Sequence, residues 1–197
     1  MRKLIVLVAL VGVFIGSMSA RAEAMVLFYD DFSDGLGDWS YSGAGTSSLF
    51  PYSSESGKYA YLQGSVFDRD PFMVANLSTA GYTNLELSFW ANTYFMDDYP
   101  SDFLEVGYSL DGDSWSTLTL PYSWWDDYTL DLPPELANQD SVWIGFHLNS
   151  TGRWYDVDWA KIDDVRVVGT EAVPEPASML LFGTGLLGLA AARRRKR

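Results

Sequence analysis

Aspartates cluster at both ends of the central part of the chain, and carboxylates in that arrangement can hold a divalent cation. Asp30, Asp31 and Asp34 follow the first apolar segment of this part, and Asp163 and Asp164 precede its last apolar segment. Carboxylates that approach one another repel unless a cation joins them, and Ca²⁺ takes six to eight oxygen ligands. The alternative is that these acids only solvate the ends of strands.

Tryptophan is the second residue type that could bind a ligand. All eight tryptophans fall between Trp39 and Trp159. Flat aromatic rings on the face or rim of a sheet can stack on sugar rings, while nearby Asp and Asn oxygens accept hydrogen bonds from sugar hydroxyls. We predict Trp124 and Trp125, in a predicted loop, and Trp90, on an outward strand face, as ligand contacts. The alternative is that aromatic residues serve only as strand formers and core fillers.

An enzymatic role has little support among the residue types that usually carry catalysis. His147 is the only histidine, which excludes a zinc site built from two or more imidazoles. Like Trp90 and Trp143, it lies on an outward strand face, where the three could line a concave sheet. No serine lies in the Gly-x-Ser-x-Gly pattern of a nucleophile elbow, and no pair of carboxylates is singled out by spacing. We therefore predict no catalytic residue.

Charge and cysteine content exclude further classes of protein and site. The formal net charge of the chain is −13. Between residues 25 and 173, five cations stand against twenty-four carboxylates, which gives this part a net charge of −19. Such a surface repels nucleic acid and anionic lipid and attracts divalent cations, so nucleic-acid binding is excluded. The chain has no cysteine, which excludes disulfides, thiol nucleophiles and thiolate metal sites.

The elements that must position these residues are predicted to be β-strands. Apolar and polar residues alternate in short segments separated by Gly, Pro, Asn, Asp and Ser, and this period of two is typical of half-buried antiparallel strands. The Asp111-Gly112 pair predicts a hairpin. Eight or so short strands, with no sustained helical period, predict a single antiparallel β-sandwich. The predicted strands cover residues 26–29, 59–62, 72–77, 85–91, 104–110, 115–120, 128–132, 142–148 and 162–168.

Three of these strands have a clearly apolar face that we predict to lie in the core. The inward sets are Leu85, Leu87, Phe89 and Ala91; Leu104, Val106, Tyr108 and Leu110; and Val142, Ile144, Phe146 and Leu148.

The first twenty-four residues have the pattern of a secretory signal peptide. Arg2 and Lys3 precede an apolar run over residues 4–15, which is followed by small residues and an Ala-x-Ala site at residues 22–24. The apolar run is short for a membrane-spanning helix. We predict export by the Sec machinery and cleavage after Ala24, with cleavage after Ala20 as the alternative.

The last twenty-five residues divide into three parts: Pro174-Glu175-Pro176, an uncharged run over residues 177–192, and five cations at 193–197. The prolines disfavour helix before residue 177. Sixteen helical residues reach about 24 Å, short of a hydrocarbon core of about 30 Å. The five cations resist crossing and hold this end in the cytoplasm.

This order of parts resembles the PEP-CTERM sorting signal of Gram-negative bacteria. The resemblance implies recognition by an exosortase, a membrane-embedded cysteine protease, after transient anchoring in the inner membrane, and release to the cell surface or extracellular matrix. The alternative is a tail anchor that is never cut. The residues that carry the resemblance are Pro174, Glu175 and Pro176 and, in the terminal cluster, Arg193, Arg194 and Arg195.

The middle of the chain resembles bacterial jelly-roll domains related to carbohydrate-binding modules and MAM-like domains. The resemblance rests on residues 31–39, on the hairpin over residues 106–115 and on Ile-Asp-Asp-Val at residues 162–165. This chain has Ser33 where many members have Glu. The resemblance implies that the first and last strands are neighbours, and calcium-clamped members of the group point to a structural Ca²⁺ site. The predicted ligands are Asp31, Asp34 and Asp163.

The predicted organisation is a signal peptide (1–24), a jelly-roll-like β-sandwich (25–169), a linker with the Pro-Glu-Pro motif (170–176), a short transmembrane sorting helix (177–192) and a cytoplasmic basic tail (193–197). The predicted function is that of an exported, surface-sorted, non-enzymatic protein with a structural or glycan-binding role in the extracellular polysaccharide matrix. The alternative is a glycan hydrolase of jelly-roll type or a dedicated lectin.

Overall fold

Two stacked antiparallel sheets form the compact unit that the structure describes. The computed structural model describes residues 23–48, 57–64, 70–95, 101–151, 157–172 and 185, and a compact unit runs from Ala24 to Glu171. The strands are β1 (Ala24–Asp30), β2 (Ser40–Ser42), β3 (Ala44–Ser47), β4 (Tyr59–Gly64), β5 (Phe72–Leu77), β6 (Tyr82–Phe95), β7 (Phe103–Ser109), β8 (Ser116–Thr119), β9 (Asp126–Asp131), β10 (Val142–Asn149) and β11 (Asp158–Glu171), with a short 3₁₀ helix at Pro134–Leu136.

The strands divide between two sheets that differ in the length of their central strands. Sheet A has the order β3-β4-β11-β6-β9, and β1 also pairs with β11. Sheet B has the order β2-β5-β10-β7-β8. The first and last strands are therefore neighbours, as predicted, with Asp30 paired to Val165. The predicted all-β antiparallel sandwich is confirmed.

The core lies between the inner faces of the two sheets. The inward residues of β6 and β10 are buried as their alternation predicts, and Phe89 and Phe146 meet edge to face across the core at a centroid distance of 4.9 Å. Phe89 also stacks on Tyr128 of β9 at 5.3 Å. Because the chain has no disulfide, the apolar packing between the two sheets is the main source of stability. Each large side chain buried there contributes about 1.5–3 kcal/mol.

The stretch after β1 is part of this core. Phe32 is fully buried and Trp39 is 5% exposed. Asp30 positions both: one carboxylate oxygen accepts from the Phe32 backbone N–H and the other from the Trp39 indole N–H, each at 2.7 Å. Burial raises the pKa of the Asp30 carboxyl, although these two hydrogen bonds act in the opposite direction. The acidic, aromatic stretch at residues 31–39 therefore has a structural role here.

A β-bulge in β11 sets which residues face the core. Asp163 is paired with Trp90, whereas Arg166 is paired with Ser88, so β11 has one more residue than β6 in this interval. Asp164 is the extra residue, and its backbone adopts the left-handed conformation, with a φ of 49°. Ala160 and Ile162 face inward before the bulge and Val165 and Val167 after it. Asp163 and Asp164 therefore lie inside a fourteen-residue strand, not at the start of the last strand as predicted.

The predicted β7–β8 hairpin is confirmed, but its loop is longer than the Asp111-Gly112 pair suggests. β7 ends at Ser109 and β8 begins at Ser116. Leu110, predicted to be inward, is 47% exposed because it lies in this loop, and Leu118 is 52% exposed on the edge strand β8. The short strands β2 and β3 were not predicted.

The predicted signal peptide (1–24) lies outside the described residues except for Glu23 and Ala24, and the predicted sorting helix (177–192) lies outside them except for Gly185. Among the described residues, no helix is long and apolar enough to cross a membrane.

The hairpin loop leads to a prediction about pH and stability. The Asp111 carboxylate accepts hydrogen bonds from the backbone N–H groups of Ser114 (2.7 Å) and Asp113 (2.9 Å) and from the Ser109 hydroxyl (2.9 Å), which lowers its pKa below the ordinary value of 3.8. A carboxylate whose pKa is lower in the folded state than in the unfolded state stabilises the fold at pH values above the unfolded pKa. This contribution is lost as the pH falls towards the folded pKa. Asp111→Asn should therefore be less stable than the wild type at pH 6, and the difference should shrink towards pH 2.5 in urea unfolding.

Asp113→Asn is the matched control for this experiment, because the Asp113 carboxylate accepts no hydrogen bond among the described residues. Its stability should follow that of the wild type at every pH. A difference between Asp111→Asn and the wild type that stays constant from pH 6 to pH 2.5 would contradict the assignment of the effect to the carboxylate charge.

Candidate functional site

A groove of about 440 Å³ crosses the outer face of sheet B. It passes over β5, β10, β7 and β8, and the loop before β8 forms one of its sides. We term it the sheet B groove. Its lining residues are Phe72, Val74, Glu105, Gly107, Gly112, Trp115, Thr117, Gly145, Phe146 and His147.

Two glycines on the central strands form the floor of the groove. Gly145 of β10 and Gly107 of β7 are paired directly opposite each other. A Cβ at Gly145 would lie 2.6 Å from Val74 Cγ1 and 3.0 Å from the Met73 carbonyl oxygen, closer than packed atoms can approach. Any larger residue at these positions would meet the groups above it, so the glycine pair keeps the floor low enough for the indole ring of Trp115 to lie on it.

Trp115 lies over this glycine pair. Carbons of its six-membered ring would be 3.2 Å from a Cβ at Gly107 and 3.3 Å from one at Gly145. Its Nε1–H donates to the Gly112 carbonyl oxygen at 3.0 Å, which fixes the orientation of the ring. The ring is half-buried, so part of its surface faces the groove. Phe72, 39% exposed, adds a second aromatic ring to the lining.

Polar side chains form one wall of the groove. His147 and Glu105 are cross-strand partners, and His147 Nδ1 lies 3.3 Å from Glu105 Oε2. The Thr117 hydroxyl donates to the other oxygen of Glu105 at 3.1 Å. On the other side of the imidazole, His147 Nε2 lies 3.7 Å from Asp70 Oδ1. The wall thus presents hydrogen-bonding groups held in place by one another, beside aromatic and aliphatic surface.

The three tryptophans predicted as ligand contacts lie elsewhere. Trp124 is 46% exposed, and Trp125 packs edge to face against Tyr59 at 6.1 Å; neither lines the sheet B groove. Trp90 lies on the outer face of sheet A, as its alternation predicts. Their role as ligand contacts stays a prediction.

His147 and Trp143 lie on β10 of sheet B, whereas Trp90 lies on β6 of sheet A. The three residues therefore do not line one concave sheet, as the sequence had suggested, because their strands belong to different sheets. Trp115, Glu105 and Phe72 were not predicted as site residues. The signal for Trp115 was its position just after the hairpin turn, but it was assigned to the returning strand.

The acidic residues predicted to bind calcium occupy different environments. The Asp31 carboxylate accepts from the Ser33 N–H at 3.0 Å, and this hydrogen bond lowers its pKa. Asp34 is exposed, whereas Asp163 is fully buried in β11. In the part of the chain that the structure describes, no three His, Asp or Glu side chains converge on a point that could hold a metal ion. Calcium therefore enters no step of the site chemistry and stays a prediction.

Comparison with known families identifies the C-terminal segment. Residues 172–196 match the family described as the PEP-CTERM protein-sorting motif. The chain therefore carries this motif, as its sequence resemblance indicated, and the motif indicates export with a membrane-anchored sorting signal at the C-terminus in Gram-negative bacteria. The motif residues Pro174, Glu175 and Pro176 and the Arg193–Arg195 cluster lie outside the described residues. No curated protein sequence matches the chain.

Solved structures share the fold of the compact unit. The chain is similar to the CBM22-1 xylan-binding domain of Paenibacillus barcinonensis Xyn10C, with a TM-score of 0.53 and 8% identity over 78% of this chain and 100% of that one. The N-terminal CBM22-1–CBM22-2 tandem domain of the same protein is similar with a TM-score of 0.53 and 11% identity, over 81% of this chain and 50% of that one. The enzymatically active domain of tailspike protein 4 from bacteriophage CBA120 is similar with a TM-score of 0.50 and 14% identity, over 71% of this chain and 20% of that one. At these identities the likeness is one of fold, and it confirms the resemblance to carbohydrate-binding-module β-sandwiches at that level.

Proposed function

We propose that this chain is a surface-sorted, non-enzymatic protein whose β-sandwich binds polysaccharide in the sheet B groove. The observation that carries the proposal is the Trp115 ring lying over the Gly107–Gly145 pair beside a polar wall. A sugar ring has apolar C–H faces that stack on an indole and hydroxyls that need hydrogen-bond partners at its edge. The groove offers both kinds of surface side by side.

The arrangement of the polar wall supports binding of a neutral sugar. Glu105 accepts from Thr117 and lies beside His147, so its carboxylate is oriented before any ligand arrives. An oriented acceptor loses less conformational entropy on binding than a mobile one. The fold shared with a xylan-binding domain is consistent with this function but does not name the sugar.

A glycan hydrolase is the second candidate, because an enzymatically active tailspike domain has a similar fold. Glycoside hydrolysis uses two carboxylates on either side of the scissile bond. Asp70 and Glu105 are the acids beside the groove wall, but the His147 ring lies between them and contacts both. The imidazole occupies the space that a substrate bond would need, which favours binding over hydrolysis. Turnover of a neutral glycan by the purified protein, abolished by Glu105→Gln, would reverse this preference.

The binding proposal predicts that Trp115→Ala weakens retention on the polysaccharide about tenfold or more, because the loss of a central aromatic contact costs about 1.4 kcal/mol or more. The measurement is affinity electrophoresis of the full chain in gels that contain soluble xylan, mannan, galactan or a soluble cellulose derivative. Circular dichroism would verify that the variant keeps the β-sandwich.

Trp124→Ala is the matched control, since Trp124 is an exposed tryptophan that lies outside the sheet B groove. It should leave retention unchanged. Loss of retention in Trp124→Ala but not in Trp115→Ala would move the site to the loop predicted from sequence. Absence of retention of the wild type on every glycan would end the proposal.

The sorting motif supports a second part of the proposal, which is that an exosortase removes the tail and releases the domain to the cell surface or matrix. The tail predicted from sequence spans a bilayer only marginally and ends in five cations, which suits a temporary anchor. The motif match over residues 172–196 is consistent with such processing.

Processing predicts the mass of the mature protein. Protein recovered from the producing cell should lack residues 193–197, because cleavage near Pro174-Glu175-Pro176 removes everything after it. Replacing these three residues by alanine should leave the tail attached, and Thr170→Ser, just outside the motif, should be processed normally. Intact mass spectrometry reads all three outcomes. Wild-type protein that retains Arg197 in the inner membrane would favour the permanent tail anchor.

The calcium site with Asp31, Asp34 and Asp163 as ligands is a further proposal. When the free ion concentration is a hundred times the Kd, binding adds about 2.7 kcal/mol to the free energy of unfolding. For a domain of this size, that corresponds to about 5–10 °C in Tm. EDTA should lower the Tm of the full chain by that amount, and Asp31→Asn should remove the response, whereas Asp38→Asn should keep it. An EDTA-insensitive Tm would contradict a bound ion.

A further inference from the structure

A second groove lies on the outer face of sheet A, on the opposite side of the sandwich from the sheet B groove. It has a volume of about 640 Å³ and lies over β1, β11, β6 and β9. We term it the sheet A groove. The function proposed above does not use it.

The strand register places four side chains in one line across the sheet A groove. Arg166 of β11 is paired with Tyr29 on one side and with Ser88 on the other, and Ser88 is paired with Thr129. All four residues line the groove. At the usual strand spacing the line is about 14 Å long, and it offers one guanidinium and the hydroxyls of Ser88 and Thr129 along a single track. The third hydroxyl, that of Tyr29, donates to Asp164 Oδ1 at 3.1 Å.

Trp90 and Asp127 form the neighbouring pair on the same face of sheet A. Trp90 is half-buried and lines the groove, so part of its indole surface faces the ligand space. The carboxylate of Asp127 accepts no hydrogen bond from a side chain or backbone group that the structure describes, and it is exposed. A stacking surface and an available acceptor therefore lie next to the line of donors.

Arg166 is the most informative residue of this groove. Its side chain is exposed, and no carboxylate of a described residue lies within ion-pair distance, although Asp127 and Asp164 line the same groove. The other two cations in the described residues are engaged: Lys58 donates to the Ser33 carbonyl oxygen, and Lys161 is buried over the Tyr59 ring. The Arg166 guanidinium thus keeps its donors available to a ligand.

We infer that the sheet A groove is a second saccharide-binding site, which takes an uncharged sugar chain. The inference rests on the proposed function and extends it to the other face of the domain. Arg166 would donate to one sugar hydroxyl while Asp127 accepts from the next, and Trp90 would stack on the ring. Each hydroxyl of a sugar can both donate and accept a hydrogen bond, so two neighbouring sugar hydroxyls fit the donor Arg166 and the acceptor Asp127.

Charge and lining chemistry favour this occupant over others. The net charge of −19 between residues 25 and 173 repels a polyanion, and Arg166 is outnumbered in the groove by Asp127 and Asp164. A lipid or apolar peptide would leave the hydroxyls, carboxylates and guanidinium of the groove without partners, at a cost in free energy. A neutral, hydroxyl-rich chain satisfies these groups and is not repelled.

Two sites on opposite faces make one domain a cross-link between two polysaccharide chains. The grooves have no lining residue in common, and the core of the sandwich lies between them. Each site therefore binds without displacing the ligand of the other. A bivalent domain holds a network together even when each contact is weak, because the second contact benefits from a high effective concentration.

The stoichiometry of binding tests the inference. The probes are hexasaccharides of xylan, cellulose, mannan and galactan, titrated calorimetrically into the full chain in a detergent with a polyethylene oxide headgroup. The wild type should bind two molecules of the accepted hexasaccharide per chain, Trp115→Ala one, Trp90→Ala one, and the double variant none. Arg166→Gln should weaken the site that remains in Trp115→Ala at least about fivefold. Tyr41→Ala, which removes an exposed aromatic side chain that lines neither groove, should still bind two.

A charged probe tests the charge of the ligand. Hexagalacturonate should bind the site that remains in Trp115→Ala at least about tenfold more weakly than the accepted neutral hexasaccharide, because the surface of this domain is strongly acidic. Binding of hexagalacturonate that is tighter than binding of the neutral hexasaccharide would show that the groove selects a charged ligand and would overturn the assignment.

The outcomes separate the two proposals. Binding of one hexasaccharide per wild-type chain, lost in Trp115→Ala and unaffected in Trp90→Ala, would leave the proposed function intact and overturn the second site. Absence of binding to all four hexasaccharides would overturn both.

Discussion

The pairing of the two fourteen-residue strands β6 and β11 is the constraint on which sheet A depends. β6 runs along one side of β11, while β4 and β1 pair with successive parts of its other side. Register in such a pair decides which side chains face the core. If Asp164 continued the regular alternation of β11 instead of forming the bulge, Val165 and Val167 would point outward and Arg166 would point into the core, where an unpaired charge is very costly. One residue thus determines both the packing and the outer surface of this sheet.

The fold could be predicted where one face of a strand is wholly apolar. β6 and β10 alternate Leu, Phe, Ile or Val with polar residues, and the same alternation placed Trp90 and His147 on outer faces. β2 and β3 consist of Ser, Tyr, Ala, Gly and Thr, so they have no hydrophobic period from which to recognise them. Leu110 continued the alternation of β7 in sequence, but the side chains of Ser109 and Asp111 hydrogen-bond the loop and end the strand before it.

The sheet B groove could not be predicted from sequence, because it depends on register between distant segments. Gly107 and Gly145 are unremarkable singly, and they form a floor only because β7 and β10 pair them directly. Trp115 then covers a surface that no local pattern describes, since its position follows from the loop that joins β7 to β8. The sorting motif is the opposite case: its information is contained in a continuous stretch of residue types, so its recognition needed no tertiary structure.

The position of β11 in the chain also fixes when the sandwich can form. Among the described residues it is the last strand, it ends at Glu171, and the sorting motif begins at the next residue. It is also the strand that β1, β4 and β6 all pair with. When the chain is synthesised from its N-terminus, β1, β4 and β6 therefore lack their common neighbour until almost the whole domain has been made. Such non-local pairing delays folding, so sheet A can be completed only when nearly the whole domain is available.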